Sequence, residues 1–586
     1  MIIKEKETFT NNLIDDILTR SVEDINFHMS PTDKYALDVS RLTDIPLFGR
    51  AAELLYINLL DVTKQKIAIV VDQDMDGYTS AALFVKFMQE INCPIDILID
   101  EGKTHGLTDN LMEQIIGNYN LVIIPDAGSN DIKQHQTLLV NEVDFIVLDH
   151  HEVLDSSIEY LNTSNKGIVI NNQLLDINKN YTGVGMTYIF LEFVGYIENL
   201  TNKEFENSVD FSKYLDLVAL GQVADVSDVA DKEIRYYVTK GLNNINNPFI
   251  KSVMNRKGLD EMTGRDASFS IISMVNAVTR VGTIEEKHRL FDALVSDSLE
   301  TSTVEVRKKN KTTGKFDKIP TEMTIHDIVV KECESIKTKQ DKIVKKHMAN
   351  VSYIYENQVV IGLLDEDAPS SITGLVGMKI SDKERKPVMI GKRYSQSLSG
   401  SLRAPDGLDF KQILTDSGLF DFVSGHASAA GWRIEEDNLE NLYEYLDNYE
   451  FSNNTTEYMV DKLYNKPIEF DIYTVEMEKH VFGGKINYPM FGYENIKFNI
   501  RCINTRGSVT TFFDNGVSFI LFNSPEDIKK TVEKNLDNNS VTMNIVGEPR
   551  INKFGNKEIP QIVIKDYEFV DNYDIVEEEN EFGIDF

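Results

Sequence analysis

The stretch KIAIVVDQDMDGYTSAALFVKFMQEI, residues 66–91, decides the fold. KIAIVVD is a short run rich in Val and Ile, which reads as a strand buried on both faces. Gly77 permits a sharp exit, and SAALFVKFMQEI (80–91) reads as the helix that follows. Outward from there the alternation continues, with PIDILID (94–100) as strand, LMEQIIG (111–117) as helix, and LVIIPD (121–126) and DFIVLDH (144–150) as strands. Strands and helices joined by short polar links predict a doubly wound α/β domain on a parallel sheet. Such sheets bind ligands outside the carboxyl ends of their strands. In this chain those ends carry acids and imidazoles.

Asp72, Asp74 and Asp76 follow the first strand at alternate positions. Three carboxylates that close repel one another unless a cation sits among them. This segment alone leaves open a metal site, a solvated Asp-rich turn or a calcium loop. However, the later glutamate of an EF-hand is missing. Asp126 ends a second apolar strand, where helix capping is the plainer reading. Asp149, His150 and His151 end a third strand, and two adjacent histidines behind an aspartate are hard to explain by packing. Asp225, in LVALGQVADVSDV (217–229), follows an apolar helix and taken singly is a cap. Together the four segments bring oxygen and imidazole donors to one crevice, a set suited to Mn²⁺, Mg²⁺ or Fe²⁺. Two such ions about 3.5–4 Å apart can clamp a phosphodiester and activate water. Metal-assisted phosphoryl hydrolysis is the chemistry this predicts.

The chain has 586 residues, enough for roughly four domains. Charged residues make up 26% and hydrophobic residues 42%, which excludes bulk disorder. The net charge of −34 excludes a uniformly basic nucleic-acid coat but leaves room for a local basic groove. Cys93, Cys333 and Cys502 are too scattered for a disulfide framework or a CxxC zinc site, which suits a reducing cytosol. The N-terminus lacks the apolar core of a secretory signal, and no run approaches the roughly 18 apolar residues of a membrane span. A cytoplasmic protein without a membrane partner is expected.

Beyond a helical region (188–300), VRKKNKTTGKFDKIPT (306–321) is basic, has no apolar period and reads as loop. IHDIVVKECESIKTKQDKIVKKHM (325–348) reads as one long charged helix bridging domains. A second α/β unit starts at VSYIYENQVVIGLL (351–364), and short alternating runs between 496 and 570 predict a small β-barrel or sandwich. The expected boundaries are a helical N-terminal arm (1–60), a catalytic domain (61–304), a basic loop and linker helix (305–350), a second α/β domain (351–455), a β domain (456–572) and an acidic tail (573–586).

These motifs resemble the DHH phosphoesterase superfamily, whose name matches Asp149-His150-His151. DQDMDG, PDAG and VADVSD are similar to its other motifs. TGVGMTY (182–188), MVNAVTRVG (274–282), TGLVGMKISDKERKPVMI (373–390), SGSLRA (399–404) and SGHASAAGW (424–432) extend the likeness to RecJ-type single-strand-specific exonucleases. The resemblance implies a DHH domain, a DHH-associated second α/β domain and a C-terminal OB-like β-barrel that guides the strand. It implies two Mn²⁺ or Mg²⁺ ions held by Asp74, Asp76, Asp126, His150 and Asp225, with Asp72 as a further ligand or a supporting group and Asp126 bridging. Asp149 would orient its neighbour His150, and His151 would face the scissile phosphate. Asn276, Arg280, Ser401, Arg403, Gly425 and His426 would bind the strand. One departure is Ser424-Gly425-His426, where the family has Gly-Gly-His.

The activity implied is 5′→3′ hydrolysis of single-stranded DNA to mononucleotides in repair, recombination or replication, by a monomer. Alternatives are a DHH phosphodiesterase of short oligoribonucleotides or cyclic dinucleotides, and a non-catalytic replication scaffold, which would have lost metal ligands. The tail EFGIDF resembles the partner-binding tip of bacterial single-strand-binding proteins. It is read either as a docking peptide for a replication or recombination partner or as a plain solvated tail. The acidic composition suits a phage-encoded or low-GC bacterial protein, in the bacterial or host cytoplasm.

Overall fold

The computed structural model describes residues 1–60, 66–102, 105–201, 209–309, 314, 316–405, 407–451, 457–522, 524, 528–537, 539–554 and 557–570. The acidic tail at 573–586 lies outside the described residues. The chain divides into two compact units, one spanning Pro31–Glu450 and one built from Met1–Ser30 with Phe451–Phe586.

The larger unit opens on a five-stranded parallel sheet. Its spatial order is Asp96–Leu98, Ile67–Val70, Leu121–Pro125, Asp144–Asp149 and Gly167–Asn171. The fifth strand, Gly167–Asn171, extends the four read from sequence. The chain enters at the second position and runs outward to one edge before returning to the other side. The topological switch point therefore falls between Ile67–Val70 and Leu121–Pro125, where α/β sheets bind ligands. Every residue of Ile67–Val70, Leu121–Pro125 and Gly167–Asn171 is buried, as helices on both faces require. The helix Met75–Glu90 is buried all round except at its last two residues. It packs against the helices Gly183–Thr201 and Leu215–Ala224.

The linker helix runs over Ile325–Met348 as read, started by a capping box between Thr324 and Asp327. Highly charged as read, it still carries an apolar stripe. Val329, Val330, Cys333, Ile336, Val344 and His347 form a buried stripe at helical spacing. The basic stretch expected to be loop is instead an antiparallel ribbon, Thr301–Lys309 paired with Phe316–Thr324. Both ribbon faces meet solvent, so neither carried the apolar alternation that marks a half-buried strand. Six strands form the second sheet, ordered Phe420–His426, Ala429–Glu435, Ser397–Arg403, Val388–Tyr394, Val360–Leu363 and Ser352–Glu356.

The smaller unit corrects two expectations. The first 60 residues are not one helical arm, because Ile2–Glu5 is a strand paired in parallel with Glu457–Val460. Ile3 and Val460 share a small apolar cluster with Val546. The C-terminal β region is a seven-stranded sheet from Lys462–Tyr464 to Ile503–Arg506, and among the described residues those edge strands do not pair to close a barrel. Arg20 bridges Asp16 at 2.9 Å and Asp461 at 2.5 Å, binding the N-terminal segment to this unit.

Candidate metal centre

The crevice is built by strand ends that turn sharply. Asp74 caps the helix Met75–Glu90, accepting from the Gly77 amide at 3.2 Å. A Cβ on Gly77 would sit 2.5 Å from the Asp72 carbonyl oxygen, so only glycine lets the helix start this close to the strand end. Asp76, the second residue of that helix, is buried beneath the next helix start. It accepts from Thr182 Oγ1 at 2.9 Å and from the amides of Gly183 and Val184 at 2.7 and 3.1 Å. Those amides open the helix Gly183–Thr201, whose positive end suits a carboxylate. Asp126 follows its strand with φ at +64°, a left-handed conformation uncommon outside glycine.

His150 stands at the centre. Its Nε2 lies 3.2 Å from Asp126, 3.4 Å from Asp225 and 3.9 Å from Asp76. Donor atoms of Asp126, His150 and His151 gather in one group, and those of Asp76, His150 and Asp225 in another. Burial pushes Asp76 above the usual carboxylate range, and pushes Asp126 well above it with the help of the neighbouring acids. Asp225 rises to about 8, first through burial and then through Asp76 and Asp74. His150 falls through burial. The three carboxylates are thus held where their ionised, metal-binding form is costly without a cation, while His150 is kept in the neutral form that a metal ligand needs. Asp126 Oδ1 and His150 Nε2 are buried without a hydrogen-bond partner, a rare condition in a folded protein. These donors fit hard or borderline divalent ions such as Mn²⁺ and Mg²⁺.

Asp149 behaves differently. Burial disfavours its charge, but His151 Nδ1 at 2.8 Å and the Ser129 amide at 3.0 Å overcome that and hold it well below the usual range. His151 is correspondingly raised to about 9 against its own burial. The resemblance implied that Asp149 orients His150; the structure joins Asp149 to the His150 amide at 2.7 Å and to the His151 ring.

Sequence reasoning missed several contributors. His105 Nδ1 lies 2.7 Å from Asp72 Oδ2, grouping with Asp72 and Asp74. It follows the end of the strand Asp96–Leu98, so the strand-end rule that found the other groups applied here too. Asn171, ending the fifth strand, donates to Ser129 Oγ and to the His151 carbonyl. Gly183 and Gly221 sit so close that a Cβ would fall 2.3 Å from Asp126 Oδ1 and 2.2 Å from Asp76 Oδ1.

Two arginines come together from different parts of the larger unit. Arg280, on the helix Ser273–Val281, donates to the Asn276 carbonyl, and burial lowers its pKa against the opposing pull of Asp74. Arg403 has its acidity raised by burial and by Arg280. Neither has a carboxylate partner among the described residues. Asn276 Oδ1 is buried and unpartnered. Ser401 Oγ lies 2.9 Å from Thr373 Oγ1, and Gly374 packs against the Arg403 guanidinium. Arg403, Ala429 and His426 form one row across three strands. Gly425 and His426 are exposed at the sheet edge.

Residues 66–222 match the DHH family, N-terminal domain. That segment is a DHH domain by sequence, and the chain as a whole is similar to RecJ-named proteins. It is 29% identical to the SPbeta prophage-derived protein YorK of Bacillus subtilis, named as a single-strand DNA-specific exonuclease, over 94% of this chain and 95% of that one. Identity to the single-stranded-DNA-specific exonuclease RecJ of Haemophilus influenzae is 26%, over 64% of each chain. In fold it is similar to Thermus thermophilus RecJ in complex with Mn²⁺, with a TM-score of 0.66 at 17% identity, covering 93% of this chain and 74% of that one. The DHH domain is thus the part that carries the carboxylate crevice, from Asp72 to the helix before Asp225. Among the described residues, no helix is long and apolar enough to cross a membrane.

Proposed function

We propose that this chain is a metal-dependent exonuclease that hydrolyses single-stranded DNA to mononucleotides, with 5′→3′ direction taken from the resemblance. One observation carries it: four acids and a histidine from four chain segments converge with two buried donor atoms left unpartnered. The named activity of YorK and RecJ relatives agrees with this chemistry.

In this reading Asp74, Asp76, Asp126, His150 and Asp225 hold two divalent cations, with Asp72 and His105 at the rim. When bound, such ions activate water and stabilise charge on the phosphodiester. The protein's own groups do the rest. His151, fixed through Nδ1 by Asp149, presents its other ring nitrogen to the phosphate and donates a proton toward the leaving oxygen. Arg280 and Arg403 supply planar forks to backbone phosphates, with Asn276 and Ser401 beside them. Gly425 and His426 extend that row outward along the strand. The catalytic domain is residues 61–304 and the strand-binding domain 351–455, in a cytoplasmic protein.

The test is a Mn²⁺ or Mg²⁺ digestion of end-labelled single and double strands, with a dinucleotide alongside. Mononucleotides should appear from the single strand. Asp126→Ala should slow release about a thousandfold, roughly 4 kcal/mol of barrier. Undiminished cleavage by that variant would overturn the proposal, and preference for the dinucleotide would replace it with a short-oligonucleotide phosphodiesterase.

A further inference from the structure

The loop that carries His105 is held by a buried amine. Lys287, on the helix Ile284–Val295, is 1% exposed. Its Nζ donates to Gln73 Oε1 at 2.5 Å and to the carbonyl oxygens of Asp100, Glu101 and Gly102 at 3.2, 2.7 and 3.0 Å. All four acceptors are neutral. The Asp100 carboxylate is engaged elsewhere, accepting from Thr108, Asn110 and the Glu101 amide. Gln73 Nε2 closes the network by donating to the Asp100 carbonyl at 2.6 Å. One ammonium therefore pins two segments together. One contains Asp72 and Asp74 on either side of Gln73, and the other leads to His105, which meets Asp72 at 2.7 Å.

An ammonium taken out of water costs several kcal/mol even when hydrogen bonds replace its hydration. An apolar side chain of similar length would fill the volume without that cost. The site therefore makes sense for the geometry it imposes rather than for net stability. Burial pushes the amine down to about 8, against Asp100 and Glu101, so it remains charged at neutral pH.

We propose that Lys287 is a positioning residue for the metal centre: through Gln73 and the carbonyls of residues 100–102 it fixes Asp72, Asp74 and His105 in the arrangement that takes a divalent cation. This rests on the metal-site reading above. Groups that orient ligands from behind change metal affinity by about 10–100-fold when removed.

Lys287→Ala leaves a cavity lined by four oxygen acceptors, which suits a small alkylammonium ion. Mn²⁺ binding is read on the full chain by electron paramagnetic resonance of the free ion, with cleavage measured in parallel. The variant should bind Mn²⁺ at least about tenfold more weakly. Added n-propylammonium should restore binding and cleavage in a concentration-dependent way, whereas tetramethylammonium, which has no N–H, should not. Arg289→Ala, on the same helix and paired with Glu332 at the surface, should keep wild-type affinity. Should Lys287→Ala fail to fold, Gln73→Met removes the side-chain acceptor and should weaken Mn²⁺ binding in the same direction. Unchanged Mn²⁺ affinity in whichever variant folds, or weakening that propylammonium does not reverse in Lys287→Ala, overturns the inference. Absence of Mn²⁺ binding by the wild-type chain instead overturns the metal-site reading beneath it.

Discussion

Asp126 illustrates how much the crowded crevice costs at the level of one residue. It is buried, left-handed at φ +64°, surrounded by like charges, and its Oδ1 has no partner. Asp126→Asn puts a neutral amide where burial and the neighbouring acids disfavour an ionised carboxylate, so without Mn²⁺ the variant should melt at a higher temperature than wild type. Its rise in Tm on adding Mn²⁺ should shrink, because a ligand stabilises only the state that binds it. A thermal scan with and without Mn²⁺ checks both signs. Val226, beside Asp225, is a second strained position, with φ +53° on an exposed β-branched side chain. Val226→Asn relieves that strain and should stabilise the fold by about 1 kcal/mol, read by denaturant melting. His151→Gln should lower kcat about a hundredfold with KM little changed, since the proton it supplies is needed in the transition state.

Among the elements, the helix starts do most of the positioning. The helix Gly183–Thr201 points its first amides at Asp76, and the helix Leu215–Ala224 crosses it through Gly221. Gly183→Ala places a Cβ on Asp126 and should weaken Mn²⁺ binding by an order of magnitude or more. A Mn²⁺ titration of the folded variant reads this directly. The TGVG turn was visible in sequence as a glycine-bearing segment, but glycine cannot announce which neighbour approaches it. Helices were legible from their composition, as in the apolar Met75–Glu90 and the long charged Ile325–Met348, but the buried stripe of the latter came only from the structure. It failed for the ribbon Thr301–Lys309 with Phe316–Thr324, whose pairing is set by cross-strand register rather than by an apolar face.

At the scale of the whole molecule, the smaller unit joins residues separated by more than 450 positions. Deleting residues 1–6 removes the strand paired with Glu457–Val460 and the Lys6–Asp461 ion pair at 2.9 Å. The melting of that unit should fall by several degrees in calorimetry, with that of Pro31–Glu450 unchanged. The −34 charge makes phosphate binding depend on a few local cations. Arg403→Ala should therefore raise KM for single-stranded DNA and flatten its salt dependence, with kcat nearly kept. By itself the sequence determined the parallel sheet, the strand-end acids and the linker helix. Each follows from the pattern of neighbours along the chain: a run of Val and Ile, a carboxylate at a turn, a repeat near four residues. Only the tertiary structure decided that His105 joins Asp72, that Lys287 stands behind them, that the first strand belongs with the last domain and that the edge strands of the β sheet do not pair among the described residues. Those outcomes rest on contacts between distant segments, where burial and hydrogen-bond completion act on whichever groups the fold brings within reach.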